Sequence, residues 1–328
     1  IVRADLLRAG IVVAILLLAL NVPVPNAIWV LAGLAFLLGS AEVLRDNAAQ
    51  TILPAIVEPK DLEAANGQLW STEQLTGQFI GPPLAGILIA VGIGLPFGLD
   101  VAILVLATGL IWLISLPKQV CVQASFGKAL MEGIAFMRGD PVLLRLAVVL
   151  GIANFLATAT ITLQVLYAQE ILLLSSAEYG IVLSVGAVGA ITGSLLAPFM
   201  IRTIGAQPCL FLSIGVWAIG YATIGLSGSG LVMAMALFVI MVAAMVWNVI
   251  TVSWRQRRIP PELLGRVNSI YRFFGWGSMP LGALAGGLLV SLLESETGRE
   301  AALRAPFLLA AISCALLLVY ALFRLRLD

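Results

Sequence analysis

The sequence predicts an all-α protein that crosses a membrane many times. Of its 328 residues, 61% are hydrophobic and only 11% are charged, and the mean hydropathy is +1.08. Soluble domains carry about 25% charged residues and 45–50% apolar residues. A second observation is the repeated occurrence of apolar stretches of about 20 residues, which is the length that crosses a bilayer as a helix. A third is the position of the basic residues between them.

Ten apolar stretches are long enough to span. Short turn-like connectors separate several of them, and three longer connectors are polar: 50–67, 117–141 and 253–267. The ten predicted spans lie near 7–25, 28–49, 69–92, 97–116, 142–168, 178–201, 208–227, 231–252, 268–292 and 305–324.

The basic residues predict the orientation of these spans. If the N-terminal end lies in the cytoplasm and ten spans alternate, only Arg299 and Arg304 of the 18 basic residues fall on the outer side. An excess of Lys and Arg in cytoplasmic connectors is the rule for membrane proteins. We therefore expect both ends of this chain to be cytoplasmic, in a bacterial inner membrane.

The longest connector marks a boundary between two halves. The segment SFGKALMEGIAFMRGDPVLLRL (125–146) is amphipathic, which predicts a helix in the membrane interface that leads into the next span. The predicted organisation is an N-terminal half-bundle at 1–116, a cytoplasmic linker with an amphipathic helix at 117–141, and a C-terminal half-bundle at 142–328.

An internal repeat relates the two halves. The pattern Pro-x-x-Leu-x-x-x-Asn occurs at 59–66 and again at 261–268, each time before a Gly/Pro-rich span, and PLAG at 83–86 matches ALAG at 283–286. A parallel repeat of about 200 residues pairs the first four spans with the seventh to tenth. The fifth and sixth spans then lack partners. We therefore expect a complete molecule of twelve spans, of which this chain has ten, and we expect the chain to be inactive without the first two.

The sequence offers little catalytic chemistry. It has no histidine, and its three cysteines fit no metal-binding or disulfide spacing. We predict no metal, no cofactor and no nucleic-acid partner. Proton transfer within the membrane would depend on carboxylates, since histidine relays are excluded.

Six plus six spans with a long central loop resemble the major facilitator superfamily of secondary transporters. The local sequence is similar to the bacterial branch that contains macrolide-efflux and enterobactin-export proteins. The segments that carry this resemblance are LLGSAEVLRDNAAQTILPAIV, QFIGPPLAGIL and GRVNSIYRFFGWGSMPLGALAGGLL.

One motif within that resemblance bears on the direction of transport. Drug/proton antiporters of the superfamily carry Gly-x-x-x-Gly-Pro-x-x-Gly-Gly on their fifth helix, and Gly77, Gly81, Pro82 and Gly86 match it, with Ala85 in place of one glycine. The small residues predict a close helix contact and the prolines a bend. We expect the partner helix to come from the opposite half, and the stretch GSMPLGALAGG to do the same from the other side.

Polar residues within spans are the candidate site residues, because they are costly in a membrane. Glu42 and Asp46 are interpreted as proton-accepting carboxylates or as part of an ion-pair gate, and the resemblance favours the gate. Glu73 is the preferred carboxylate for proton coupling, with an interhelical hydrogen bond as its alternative. The candidates for lining a substrate cavity are Asn47, Gln74, Gln78, Asn154, Thr158, Thr162, Trp247, Asn248, Arg272 and Trp276.

Several cavity candidates have alternatives. Asn154, Thr158 and Thr162 form a polar stripe at i, i+4 and i+8, although threonines also bond to their own helix. The aromatic candidates, Trp247 and Trp276, could stack on a ligand or belong to the aromatic belt at the membrane interface. Arg272 could bind an anionic substrate group or extend its side chain to the interface.

The function predicted from these residues is secondary active transport rather than enzymatic catalysis. The preferred hypothesis is a monomeric, proton-coupled exporter of a small amphipathic molecule of the drug, siderophore or macrolide type, working by alternating access. The alternatives are an importer or a lysolipid transporter, and, with less support, a membrane-embedded lipid-modifying enzyme.

Overall fold

The computed structural model describes residues 2–20, 27–92, 94–113 and 126–327. The described part is helical and contains no strand, as the sequence predicts. Its helices are α1 (Val2–Leu20), α2 (Ala27–Ile56), α3 (Leu62–Gln74), α4 (Gly81–Val91), α5 (Leu95–Trp112), α6 (Phe126–Gly139), α7 (Pro141–Leu166), α8 (Ser176–Ile204), α9 (Ala206–Leu226), α10 (Gly230–Arg258), α11 (Pro261–Thr297) and α12 (Arg299–Arg324).

Nine helical segments of the described part are long and apolar enough to cross a membrane. They correspond to the second through tenth predicted spans. The first predicted span, 7–25, overlaps α1, which begins at Val2 and carries Arg3, Asp5 and Arg8 in its first two turns; it is not among these nine. The last residues of that predicted span lie outside the described part, as does most of the predicted linker before α6.

The Gly/Pro-rich span is interrupted where the sequence predicts a bend. Between α3 and α4 the chain forms a π-helical segment, Leu75–Ile80, and α4 then begins with Pro82 and Pro83 in its first turn. A proline has no N–H for the carbonyl four residues earlier, so the regular α-helical bonding pattern cannot run through this point. By contrast, α11 has one interior proline, Pro280, and remains helical from Pro261 to Thr297.

The chain packs as two compact units. One consists of residues 1–59 and 79–123, and the other of residues 60–78 and 124–328. Residues 60–78, which the sequence analysis assigned to the N-terminal half-bundle, therefore pack with the C-terminal helices. The half-bundles themselves, defined by the repeat, remain a prediction.

In the larger unit, glycines bring helices into backbone contact. A Cβ at Gly189 or Gly193 of α8 would lie 2.3 or 2.5 Å from a carbonyl oxygen of α10. A Cβ at Gly282 or Gly286 of α11 would lie 2.2 or 2.5 Å from a carbonyl oxygen of α7. Each pair is four residues apart and so lies on one helix face, as in small-residue interfaces of membrane helices.

The α11 glycines correct one expectation. We expected GSMPLGALAGG to contact the opposite half, but Gly282 and Gly286 pack against α7, in the same half. The absence of side chains at Gly282 and Gly286 is what permits this approach, because a Cβ at either position would collide with the carbonyl oxygen of Phe155 or Ala159.

The connections place the helix ends of this unit at two faces. The ends of α8, α10 and α12 and the starts of α3, α7, α9 and α11 lie at one face, which we call the connector face. Contacts across it include the bond from Arg145 to the carbonyl of Arg324 and the bond from the Leu327 amide to Gln207. The two basic residues of the other face are neutralised by acidic neighbours, Arg299 by Glu170 at 2.7 Å and Arg304 by Glu300 at 2.9 Å.

Candidate functional site

The start of α3 is joined to α10 by a buried polar cluster at the connector face, and to α8 by a close backbone contact. The side-chain amide of Asn66 lies 2.9 Å from the carbonyl of Leu62, 2.9 Å from Ser253 Oγ and 2.7 Å from Gln256 Oε1. Asn66 and Ser253 are completely buried. We call this cluster the α3 junction; it consists of Glu63, Asn66, Gly67, Ser194, Ser253, Gln256 and Arg257.

Gly67 sets the separation of α3 and α8 in the junction. A Cβ at this position would lie 2.4 Å from the carbonyl oxygen of Ser194 and 3.5 Å from Pro198 Cγ. A backbone oxygen cannot move aside as a flexible side chain can. No larger residue fits at position 67 while α3 stays seated on α8.

An ion pair lies at the edge of the junction. Arg257, in the last turn of α10, pairs with Glu63 in the first turn of α3. The Glu63 side chain is 13% exposed and that of Arg257 37%. A partly exposed pair of this kind contributes little to stability, so most of the energy of the junction must come from the buried amides and the helix contact.

A second buried cluster holds the start of α11 to α10. Arg255 donates from Nη1 to Asn268 Oδ1 at 2.7 Å and from Nε to the Thr251 carbonyl at 3.1 Å, and its guanidinium lies 3.8 Å from the centre of the Tyr271 ring. Arg255 is 4% exposed. Its charge is therefore met by neutral oxygens and an aromatic face, which is suited to the weakly hydrated guanidinium group.

The two clusters are related by the internal repeat. Asn66 and Asn268 are the matched asparagines of the Pro-x-x-Leu-x-x-x-Asn pattern, and both bond to side chains in the last two turns of α10. Their leucine partners, Leu62 and Leu264, are each 1% exposed. The repeat therefore places two equivalent helix starts on the same helix end.

The predicted polar-aromatic set near this face separates into two environments. Arg272 is 9% exposed and lies 4.1 Å from the centre of the Trp276 ring, which is 46% exposed. Trp247 is 1% exposed and packs against Trp217, with ring centres 5.5 Å apart. Asn248 is half-buried. Trp247 thus lies inside the bundle between α9 and α10, a position that does not support a cavity-lining role.

The side chains of the predicted polar stripe on α7 form hydrogen bonds to backbone carbonyls of the protein. Asn154 donates to the Gly275 carbonyl of α11 at 2.9 Å. Thr158 and Thr162 bond to the carbonyls of Asn154 and Thr158 on their own helix, at 2.8 and 2.7 Å. This is the alternative given for the threonines, and the cavity role of the stripe remains a prediction.

In the smaller unit, the carboxylates of α2 belong to an ionic network with α1. Arg8 lies 3.4 Å from Asp5 and 3.7 Å from Glu42, and Arg45 lies 3.8 Å from Asp5 and 3.4 Å from Asp46. The Glu42 side chain is 56% exposed, whereas that of Asp5 is 2% exposed. The two predicted carboxylates, Glu42 and Asp46, thus share a network with three residues that were not predicted: Asp5, Arg8 and Arg45.

The remaining candidates lie around the interrupted span. Glu73 and Gln78 are exposed, and Asn47 and Gln74 are half-buried. The antiporter-like motif is divided between the two units, with Gly77 in one and Gly81, Pro82, Ala85 and Gly86 in the other. That this motif packs against a helix of the opposite half remains a prediction.

Sequence reasoning missed three residues that organise these clusters: Asn66, Arg255 and Asp5. The repeat contained the signal for Asn66, because an asparagine kept at the same place in two related segments predicts a buried hydrogen bond in both. The spacing of Asp5 and Arg8, three residues apart in an apolar helix, was a comparable signal. Nothing in the sequence distinguishes Arg255 from the other arginines of its helix end.

Nine helical segments of the described part that are long and apolar enough to cross a membrane define a polytopic membrane protein. The family profile of the Major Facilitator Superfamily matches residues 3–279 and, in a second match, 146–328. The chain therefore belongs to the Major Facilitator Superfamily, and it is a membrane transporter by family.

Solved structures agree on the fold. The chain is similar to a bacterial homologue of the iron transporter ferroportin in an outward-facing state, with a TM-score of 0.73 and 18% identity, over 98% of this chain and 82% of the other. A second structure of such a homologue, outward-facing with soaked iron, gives a TM-score of 0.66 and 17% identity over 97% and 82%. The comparison with curated proteins gave no match.

Proposed function

We propose that the protein is a proton-coupled exporter of a small amphipathic molecule, working by alternating access in a bacterial inner membrane. The observation that carries the proposal is the α3 junction. It joins a helix of the N-terminal repeat to two helices of the C-terminal repeat, at one face, through the Asn66 hydrogen bonds, the Gly67 contact and one ion pair. Transporters of this kind rock two halves around a central site, and such a contact can close one side.

The junction has the properties of a reversible latch. Its core is one asparagine amide and one glycine contact, with an ion pair at the rim. The Asn66 Oδ1 atom is buried and meets no donor among the described residues.

The closed face is proposed to be cytoplasmic. Arg255, Arg257 and Arg258 end α10 and Arg266 follows in α11, so this face carries the basic residues that favour the cytoplasm. A transporter closed there would be outward-facing, the state given for both similar structures. At 17–18% identity these structures support the fold alone, so their iron is not carried over to this chain.

The proton-binding groups are proposed from the carboxylates that the sequence analysis selected. Glu42 and Asp46 already exchange ion pairs with Arg8 and Arg45, and protonation would release those cations. Glu73 is exposed on the last turn of α3, beyond the junction. We propose that protonation at either place shifts the equilibrium between the closed and the open α3 junction. A monomer suffices for this scheme.

The test is substrate efflux driven by a proton gradient. Everted vesicles that contain the full-length protein should accumulate a member of a panel of amphipathic drugs, siderophores and macrolides when the membrane is energised. An uncoupler should abolish accumulation, and Glu73→Gln should reduce it more than Glu296→Gln, a control carboxylate at the other face. Uptake that persists with the uncoupler would refute proton coupling, and transport only in right-side-out vesicles would indicate an importer instead.

A further inference from the structure

A cavity lies where the amphipathic helix α6 meets the ends of two spans. It has a volume of about 380 Å³ and is lined by Phe136, Gly139, Asp140 and Arg258. All four residues belong to the larger unit. The cavity is distinct from the α3 junction and takes no part in the proposed transport step.

The lining residues place the cavity at a membrane surface. Asp140 is the N-cap of α7, where its Oδ1 accepts from the Val142 amide at 3.0 Å and the Leu143 amide at 3.2 Å. Arg258 is the last residue of α10. One apolar span therefore begins and another ends at the cavity. Trp254, whose ring centre lies 6.0 Å from the Arg258 guanidinium, is an aromatic residue of the kind found at headgroup level.

The two charged groups of the cavity neutralise each other, but the guanidinium keeps donors for a further anionic group. Asp140 Oδ2 accepts from Arg258 Nε at 3.0 Å, so the carboxylate already has three donors. The Arg258 side chain is 54% exposed, and no hydrogen bond to another described residue uses its two terminal nitrogens. A guanidinium held in place by its Nε and open at both Nη atoms is suited to bidentate binding of a phosphate.

The outer face of α6 is suited to a lipid surface. One face of the helix is fixed to α11, by the ion pair of Glu132 with Arg266 and by Gly133, where a Cβ would lie 2.7 Å from the Ile270 side chain. The face that remains exposed carries Lys128, Met131, Ala135 and Arg138, at a helical spacing that mixes two cations with apolar groups. These are the properties of a helix that lies among lipid headgroups.

We propose that the cavity binds the phosphate group of a membrane phospholipid. Arg258 binds the phosphate, and Phe136 packs against the lipid acyl chains where they join the glycerol. The exposed face of α6 lies among the surrounding headgroups. Clustered Lys and Arg side chains at a cytoplasmic surface attract anionic lipids, and the exposed face of α6 adds Lys128 and Arg138 to Arg258. A lipid here would brace α6 against α7 and α10, the helices on either side of the cavity.

The experiment measures phospholipid binding by the purified full-length protein. Native mass spectrometry with phosphatidylglycerol gives the apparent affinity for the parent, Arg258→Gln and Gly139→Leu. Gly139 lines the cavity and a Cβ there meets nothing within 4 Å, so a leucine can be accommodated and takes up space beside the proposed phosphate position while both members of the ion pair are kept. Arg202→Gln is the matched control, since Arg202 is an exposed arginine in the last turn of α8, away from the cavity.

We expect both cavity variants to bind phosphatidylglycerol at least fivefold more weakly, and Arg202→Gln to bind as the parent does. Inorganic phosphate at millimolar concentration should leave the lipid bound. The proposal is overturned if Gly139→Leu retains parental affinity, which decides the matter even if Arg258→Gln fails to fold. It is equally overturned if inorganic phosphate displaces the lipid, because the site would then be one for free anions.

Discussion

Replacing Gly67 by alanine tests the α3 junction at its tightest point. The new methyl carbon would lie 2.4 Å from the Ser194 carbonyl oxygen, about 1 Å closer than ordinary contact. Overpacking of this kind costs roughly 1–3 kcal/mol. The gain in helix propensity from glycine to alanine is present whether the junction is closed or open, so it does not offset this cost in the equilibrium between the two states.

The expected effect is a shift toward the open junction of about 5- to 150-fold, which is the population change that 1–3 kcal/mol produces. The reporter is a cysteine at position 194, which is completely buried when α3 is seated and whose native hydroxyl bonds to the Ala190 carbonyl of its own helix rather than to α3. It is introduced after Cys121, Cys209 and Cys314 have been replaced by alanine. The rate of maleimide labelling in everted vesicles then measures opening at the connector face.

Gly180→Ala is the control for this experiment, because a Cβ there meets nothing within 4 Å and the change lies on α8, the helix that Gly67 contacts. Its labelling rate should equal that of the parent. If Gly67→Ala labels no faster than Gly180→Ala, the contact between α3 and α8 does not control access, and the reasoning is refuted.

Three further predictions each test one contact of the structure by substitution. Asn66→Ala should raise the labelling rate of the same reporter about fivefold, since it removes bonds worth roughly 1 kcal/mol; an unchanged rate would mean that the amide cluster does not hold the junction. Asn154→Leu should lower the melting temperature of the purified protein by more than Thr162→Val does, because only the asparagine bonds to a second helix; equal effects would contradict this. Gly282→Leu should reduce the yield of folded protein sharply, whereas Gly287→Leu, with open space around its Cβ, should not, and size-exclusion chromatography compares the two.

The sequence predicts the parts of this fold that depend on composition and periodicity. Apolar length predicts nine of the spans, and the adjacent Pro82 and Pro83 predict the interruption at Leu75–Ile80. The amphipathic pattern after the fourth span predicts α6. These features are local, so a single segment contains the information for each.

The site could be predicted only in part, because its contacts join distant segments. The glycines of α11 indicate a close helix contact, but the choice of α7 as partner depends on the packing of the whole unit. Trp247 is polar-aromatic by sequence and is nevertheless buried against Trp217, which lies 30 residues away on α9. The assignment of residues 60–78 to the unit of the C-terminal helices follows from Gly67 and Asn66, whose partners are more than 100 residues distant.

The most direct test of the proposed mechanism is to lock the junction. Cysteines at positions 63 and 257, in the background without native cysteines, are joined by a short bis-methanethiosulfonate, and drug accumulation in energised everted vesicles is measured before and after reduction. If the junction opens in every transport cycle, the cross-link abolishes accumulation and a reductant restores it. Accumulation at the same rate with the cross-link intact would contradict a gate at α3.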